Sequence, residues 1–110
     1  MKLTDKYKLV IPDAKLKEYL LSPHHSRGKH KARIFSKLGI SEEKFKLLEQ
    51  LILKIASERE IESEREDKYG KIIVVSGFVS VIEDEQWKMK TVWIVEDFSN
   101  EARLITAYPE

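Results

Sequence analysis

All three histidines of the chain, His24, His25 and His30, fall within seven residues, among a run of cations that includes Arg27, Lys29, Lys31, Arg33 and Lys37. Imidazole titrates near neutrality, so such a set suits cleavage of an RNA phosphodiester by its own 2′-hydroxyl. One group takes the hydroxyl proton, another protonates the leaving 5′-oxygen, and nearby cations hold the charge that builds on the phosphate. The same residues also read as a loop of exposed histidines beside a solvated lysine face. The pattern H-H-x4-H matches no zinc template, so neither a metal nor a cofactor is expected.

Charge is unevenly placed. Lys and Arg number 20 against 19 Asp and Glu, a net charge of +1, yet residues 1–37 hold ten Lys/Arg and only three Asp/Glu. Local potential rather than the total attracts a polyanion, so one face of a nearly neutral domain can still bind phosphate. At 110 residues, 42% hydrophobic and 35% charged, the chain is long enough for one domain with one core. The absence of cysteine excludes disulfide frameworks, iron–sulfur clusters, thiolate zinc sites and cysteine nucleophiles. The start of the chain carries charges where a signal peptide needs an apolar run, and no stretch is apolar enough to span a bilayer, so a cytoplasmic location away from membranes is expected.

Several elements must position these groups. Tyr7 to Ile11 reads as a short extended entry, and Pro12-Asp13 opens a helix over residues 13–21 with Leu16, Tyr19 and Leu20 on one face. After Ser22-Pro23 and the loop around Gly28, a second helix runs over 29–38 and closes at Gly39. A third spans Ser41 to Ser57, with Phe45, Leu48, Leu51, Ile52 and Ile55 as its apolar stripe. Residues 60–66 suggest a polar edge strand, followed by a turn at 67–70. Strands are expected over 71–82 (with Gly77 at a bulge), 87–96 and 102–108, with Glu83 to Glu85 turning the first into the second. The order predicts an α+β fold: two to three N-terminal helices packed on a four-stranded antiparallel β-sheet, in a single domain covering residues 1–110.

On a helical wheel Lys29, His30, Arg33 and Lys37 share one arc, whereas Lys31 falls between the apolar positions Ile34 and Phe35. An ammonium there needs a partner, an opening into a cleft, or a stem that snorkels past the core edge. Alternation along the strands groups Thr91 with Trp93 and Val95, and Leu104 with Thr106 and Tyr108. Thr and Tyr can bind phosphate, and Trp or Tyr can stack on a base; equally, Thr is a good strand former and Trp93 a natural core residue.

Taken together, IPDAKLKEYLLSPHH, HSRGKHKARIFSKLG, TVWIVE and RLITAYP resemble a family of short bacterial domains of uncharacterised function. The resemblance runs from Leu9 to Pro109 and centres on H-x-x-G-x-x-K-A-R-x-F-x-x-L-G, counted from His25. In order of elements such domains are similar to the metal-independent ribonuclease toxins grouped with barnase, EndoU, the tRNA-cutting colicins and RelE. The resemblance implies His25 as general acid or base, with His24 adjacent and His30 in reserve. It implies Lys31 and Arg33 on the scissile phosphate, Thr91 and Thr106 positioning it, and Tyr108 donating a hydrogen bond or stacking. Lys29 and Trp93 would add substrate contacts. Ser26 departs from the proline that many relatives carry after the histidine, and the His24-His25 pair leaves the catalytic register open.

The function expected on this footing is an endoribonuclease toxin that leaves a 2′,3′-cyclic phosphate, acting on RNA and neutralised by an acidic antitoxin protein. A homodimer along the strand edge at 71–82 is a further possible partner arrangement. The alternatives are a non-catalytic module that holds RNA or an acidic protein on the basic helix 29–38, and a structural interaction domain in which Lys31 and Arg33 form buried ion pairs with the sheet.

Overall fold

A computed structural model describes residues 1–22, 29–80 and 86–110. The loop bearing His24, His25 and Gly28 and the turn at Glu83 to Glu85 lie outside the described residues, and of Lys29 and His30 only the backbone is described. Five strands form one mixed sheet: β1 (Lys8–Val10), β2 (Ser63–Asp67), β3 (Gly70–Val79), β4 (Trp87–Glu96) and β5 (Glu101–Pro109), in the spatial order β1-β5-β4-β3-β2. The four later strands are antiparallel as expected. The correction is β1, which pairs parallel with β5 and turns the extended entry into a fifth strand, through Lys8, Leu9 and Val10 beside Glu101, Ala102 and Arg103. Three residues joined to a partner at the far end of the chain leave no local pattern, which is why periodicity does not reveal the pairing.

The helices are α1 (Lys29–Lys37) and α2 (Phe45–Glu58), with a π-helical segment at Lys15–Leu20 and 3-10 turns at Leu3–Asp5 and Glu42–Lys44. The third helix therefore starts in a 3-10 turn and becomes regular only at Phe45. Helix α1 stops where Gly39 takes φ +81°: its N–H bonds the Ser36 carbonyl, and the Ile40 N–H bonds that of Phe35. This is a Schellman closure, and it buries Phe35 with Ile40, the apolar pair such a cap calls for.

One face of the sheet is dry. Ile73, Val75, Val79, Met89, Trp93, Val95, Leu104 and Ala107 pack against Leu48, Ile52 and Ile55 of α2 and Leu16, Leu20, Phe35 and Leu38 from the preceding segments. Gly77 sits on this face without a bulge, because the β3–β4 register runs unbroken past its pairing with Met89. A Cβ there would lie 3.0 Å from Arg59 Cγ and 3.3 Å from Ile55 Cγ1, so the residue lets α2 approach the sheet closely. The strand over 71–82, whose edge the sequence leaves open to a homodimer, is β3, and it is interior, paired on both sides. The outer edge is β2, whose five residues, SERED, are all exposed, a composition that discourages another chain from adding to the ladder. Among the described residues no helix is long and apolar enough to cross a membrane.

Candidate functional site

The β-bulge lies in β5, not at Gly77. The β4–β5 pairing shifts between Val92 and Trp93: Val92 faces Thr106 and Trp93 faces Leu104, leaving Ile105 as the extra residue. Paired residues in an antiparallel sheet share a face, so the shift changes the phase of the strand. Leu104 joins Trp93 in the core, while Thr106 and Tyr108 stand with Val92 and Lys90 on the opposite, partly open face. Strict alternation, which groups Thr106 and Tyr108 with Leu104, is corrected here.

The expected threonines therefore separate. Thr91 is fully buried, donates its hydroxyl to the Val75 carbonyl at 2.7 Å and accepts from Trp93 Nε1 at 2.9 Å. Both side chains are at 0% exposure and leave no atom for a substrate, so the expected substrate-facing roles of Thr91 and Trp93 give way to a core hydrogen-bond relay. Thr106 Oγ1 is buried too, yet among the described residues it has no hydrogen-bond partner. An orphaned buried hydroxyl costs roughly 1–3 kcal/mol, which marks the position as one where something other than stability is served.

Lys31 reaches the same place from α1. Its Nζ donates to the Tyr19 hydroxyl at 3.2 Å, 5.3 Å from the Tyr19 ring centre and 5.9 Å from that of Tyr108. The lysine that the wheel places among apolar positions is thus partly buried between two tyrosine faces, which hold its ammonium by hydrogen bonding and cation–π attraction. Among the described residues no carboxylate pairs with it, so the buried ion pair of the structural alternative is not formed by Lys31 there. Arg33 goes elsewhere. Two residues along an α-helix turn the side chain by about 200°, and Arg33 is exposed beside a cavity of about 690 Å³ shared with Ser36, Lys37, Glu42 and Glu43. Lys31 and Arg33 do not meet on one phosphate.

Tyr19 is the residue that pattern reading misses, since as an apolar position of an amphipathic turn it belongs to the core stripe. The local backbone explains the difference. The Leu21 N–H bonds the Leu16 carbonyl, an i to i−5 link that widens the turn, so Tyr19 packs against the core at the margin of the stripe instead of within it. Leu16 and Leu20 are buried, and Tyr19 stays partly exposed beside β5. Burial, the strongest influence on its phenol, pushes the pKa up. The hydrogen bond and charge of Lys31, the nearby Thr106 hydroxyl and the charge of Lys15 together outweigh burial and hold it below the ordinary value. The Thr106 hydroxyl lies near enough to that of Tyr19 to help lower its pKa, although the pair does not meet the geometry of a hydrogen bond.

The site thus gathers Lys31, Tyr19, Thr106 and Tyr108, with Lys15 also 5.1 Å from the Tyr19 ring centre: among the described residues Lys31 has no carboxylate partner and the Thr106 hydroxyl no hydrogen bond, and the group lies at the half of β5 that β1 leaves uncovered. An ammonium, phenols and a hydroxyl are the kinds of donor an anion takes. No group of three or more His, Cys, Asp or Glu that could hold a metal occurs among the described residues.

Residues 2–110 match the family described as Domain of unknown function (DUF6883). The chain belongs to that family. No curated protein matches it in sequence. Among solved structures, it is similar to a chain of a contact-dependent growth inhibition toxin–immunity protein complex from Klebsiella pneumoniae 342. The TM-score is 0.70 at 16% identity, covering 92% of this chain and 99% of that one. At that identity the likeness of this DUF6883 domain is one of fold.

Proposed function

We propose that this domain is the toxin of a toxin–antitoxin pair, and that it cleaves RNA at the site formed by Lys31, Tyr19, Thr106 and Tyr108. The observation that carries the reading is the ammonium of Lys31, held between two tyrosines near the buried Thr106 hydroxyl, neither of which has a carboxylate partner among the described residues. A scissile phosphate placed there receives a charge-assisted hydrogen bond from Lys31 and a hydrogen bond from Thr106 Oγ1, which then loses its unsatisfied state. The fold shared with a chain of a toxin–immunity complex supports the biological class, and an acidic neutralising protein would cover the cation.

In the proposed reaction the 2′-oxygen attacks phosphorus, the O2′–P bond forms and the P–O5′ bond breaks, giving a 2′,3′-cyclic phosphate and a 5′-hydroxyl. One side chain accepts the 2′-hydroxyl proton and one donates a proton to the 5′-oxygen; Tyr19, with its lowered pKa, and His25 share these two transfers. Lys31 stabilises the charge on the phosphate as the transition state forms.

The test is cleavage of a defined RNA in EDTA, together with growth on induced expression. Wild type is expected to cut and to arrest growth, and Lys31→Met is expected to lower the cleavage rate by about 10²-fold or more without unfolding. Wild-type protein that neither cuts nor harms overturns the reading. Binding of RNA without cleavage selects instead the non-catalytic module.

A further inference from the structure

A second pair of cations stands on the same open face. Lys88 and Lys90 are two apart on β4, so both project from the face that carries Thr106 and Tyr108, and Lys90 lies directly opposite Tyr108 in the register. Tyr108 thus stands between Lys31, 5.9 Å from its ring, and Lys90 on the neighbouring strand. The Lys88–Lys90 pair already holds an anion. Glu110 places one carboxylate oxygen 2.9 Å from Lys90 Nζ and the other 3.4 Å from Lys88 Nζ. Its backbone N–H, bonded to the Lys88 carbonyl at 2.7 Å, fixes it there.

On the other side of Lys90, Ser76 occupies the paired position on β3, and its Oγ is buried with no hydrogen-bond partner among the described residues. A carboxylate bridging two ammoniums beside an idle hydroxyl is the arrangement a phosphate would take with one more donor to spare. The pair is accessible: the Lys90 and Glu110 side chains keep 28% and 30% of their exposure, and ion pairs this open to water contribute little to stability. Among the described residues Glu62, 4.0 Å from Lys90, is the other carboxylate within ion-pair reach. Lys90 lowers the carboxyl pKa of Glu110, chiefly through their hydrogen bond, so near neutrality the carboxylate is charged and competes with any other anion for the two ammoniums.

Resting on the reading of the Lys31 site as one for RNA, we propose that Lys88, Lys90 and Ser76 form a second phosphate site for the neighbouring nucleotide of the same strand, which Glu110 occupies until the RNA displaces it. The tyrosine between the two cations then lies where a base or ribose would sit, and Glu110 acts as a built-in competitor that sets the threshold for binding.

The experiment is fluorescence anisotropy with a single-stranded RNA whose 2′-hydroxyls are methylated, so that it binds without reacting, measured over a range of salt. Glu110→Gln is expected to bind three- to tenfold tighter than wild type. The double variant Lys88→Ala, Lys90→Ala is expected to bind at least tenfold more weakly, with the slope of log affinity against log salt smaller by about one to one and a half, as for two lost phosphate contacts. If Glu110→Gln leaves affinity unchanged while Lys31→Met weakens it, the second site is overturned and the RNA reading stands. If wild type binds no RNA under any salt condition, both fall together.

Discussion

Thr91 and Thr106 lie on adjacent strands of one sheet, and both hydroxyls are buried, yet they do opposite things. On the inner face Thr91 is used up: it gives its proton to Val75 and takes one from Trp93, so every polar atom of the relay is satisfied by protein. On the outer face Thr106 is left over, near the Tyr19 hydroxyl but with no hydrogen bond among the described residues. A residue type alone does not say whether a threonine supports a structure or waits for a ligand. What separates the two is whether the partners come from the fold or from outside it, and that is decided by the face on which the side chain stands.

The largest break in this contrast should come from the inner threonine. Thr91→Val strands the Trp93 indole N–H and removes a donor from the Val75 carbonyl, both in a water-free core, and is expected to destabilise by about 2 kcal/mol, within the 1–3 range for a buried unsatisfied group. Urea unfolding followed by tryptophan fluorescence measures it, and a change below about 0.5 kcal/mol would mean that the relay is not structural. The same substitution on the outer face should run the other way. Thr106→Val removes a hydroxyl without a partner and is expected to raise stability by up to about 1 kcal/mol while lowering RNA cleavage, a trade of activity for stability. Equal losses of stability from both variants would erase the distinction between the faces.

The smallest effect sharpens the outer face rather than breaking it. Of the four tyrosines, Tyr19 is expected to ionise below the ordinary phenol range, visible as an early phase in an ultraviolet titration, and Lys31→Met should move that phase upward, since burial then acts with much less opposition. Because the folded pKa is the lower one, the folded state binds fewer protons than the unfolded chain between the two values. The stability this group contributes is therefore present above the unfolded phenol's pKa and lost as pH falls through the lowered folded value, leaving none of it near neutrality. A titration with no early phase, or one indifferent to Lys31→Met, would separate Tyr19 from the cation.

The sequence makes the strongly periodic parts legible. The stripe of α2 and the glycine that ends α1 follow from local rules that the core does not override, and Leu48, Ile52 and Ile55 are buried as the spacing requires. Lys31 is legible as an anomaly, because an ammonium at an apolar wheel position demands an explanation whatever the explanation proves to be. Three features were not legible, each for a physical reason. Strand β1 gains its partner across most of the chain length, so nothing nearby announces it. Tyr19 packs against the core as its place in the stripe requires, but a π-turn alters the period and its hydroxyl end meets Lys31, which the pattern does not announce. The shared face of Thr91, Trp93 and Val95 follows from alternation, but the choice between a core role and a ligand role stays open in the sequence, because the faces of a strand are distinguished only by what packs on them, and α2 packs on theirs. His25, the expected general acid or base, and its neighbour His24 lie outside the described residues, and His30 is placed by its backbone on α1.

Ile105 has one more consequence. With one residue out of step, the last strand is counted from two origins, and its core-facing positions Leu104 and Ala107 stand three apart instead of two. Anyone aligning this strand with a distant relative by simple alternation would swap its dry positions for its wet ones over the closing residues. Keeping that interval of three preserves the distinction, so the spacing between the last inward leucine and the next inward small residue is itself a signature to search for, independent of whether any hydroxyl or ammonium is retained.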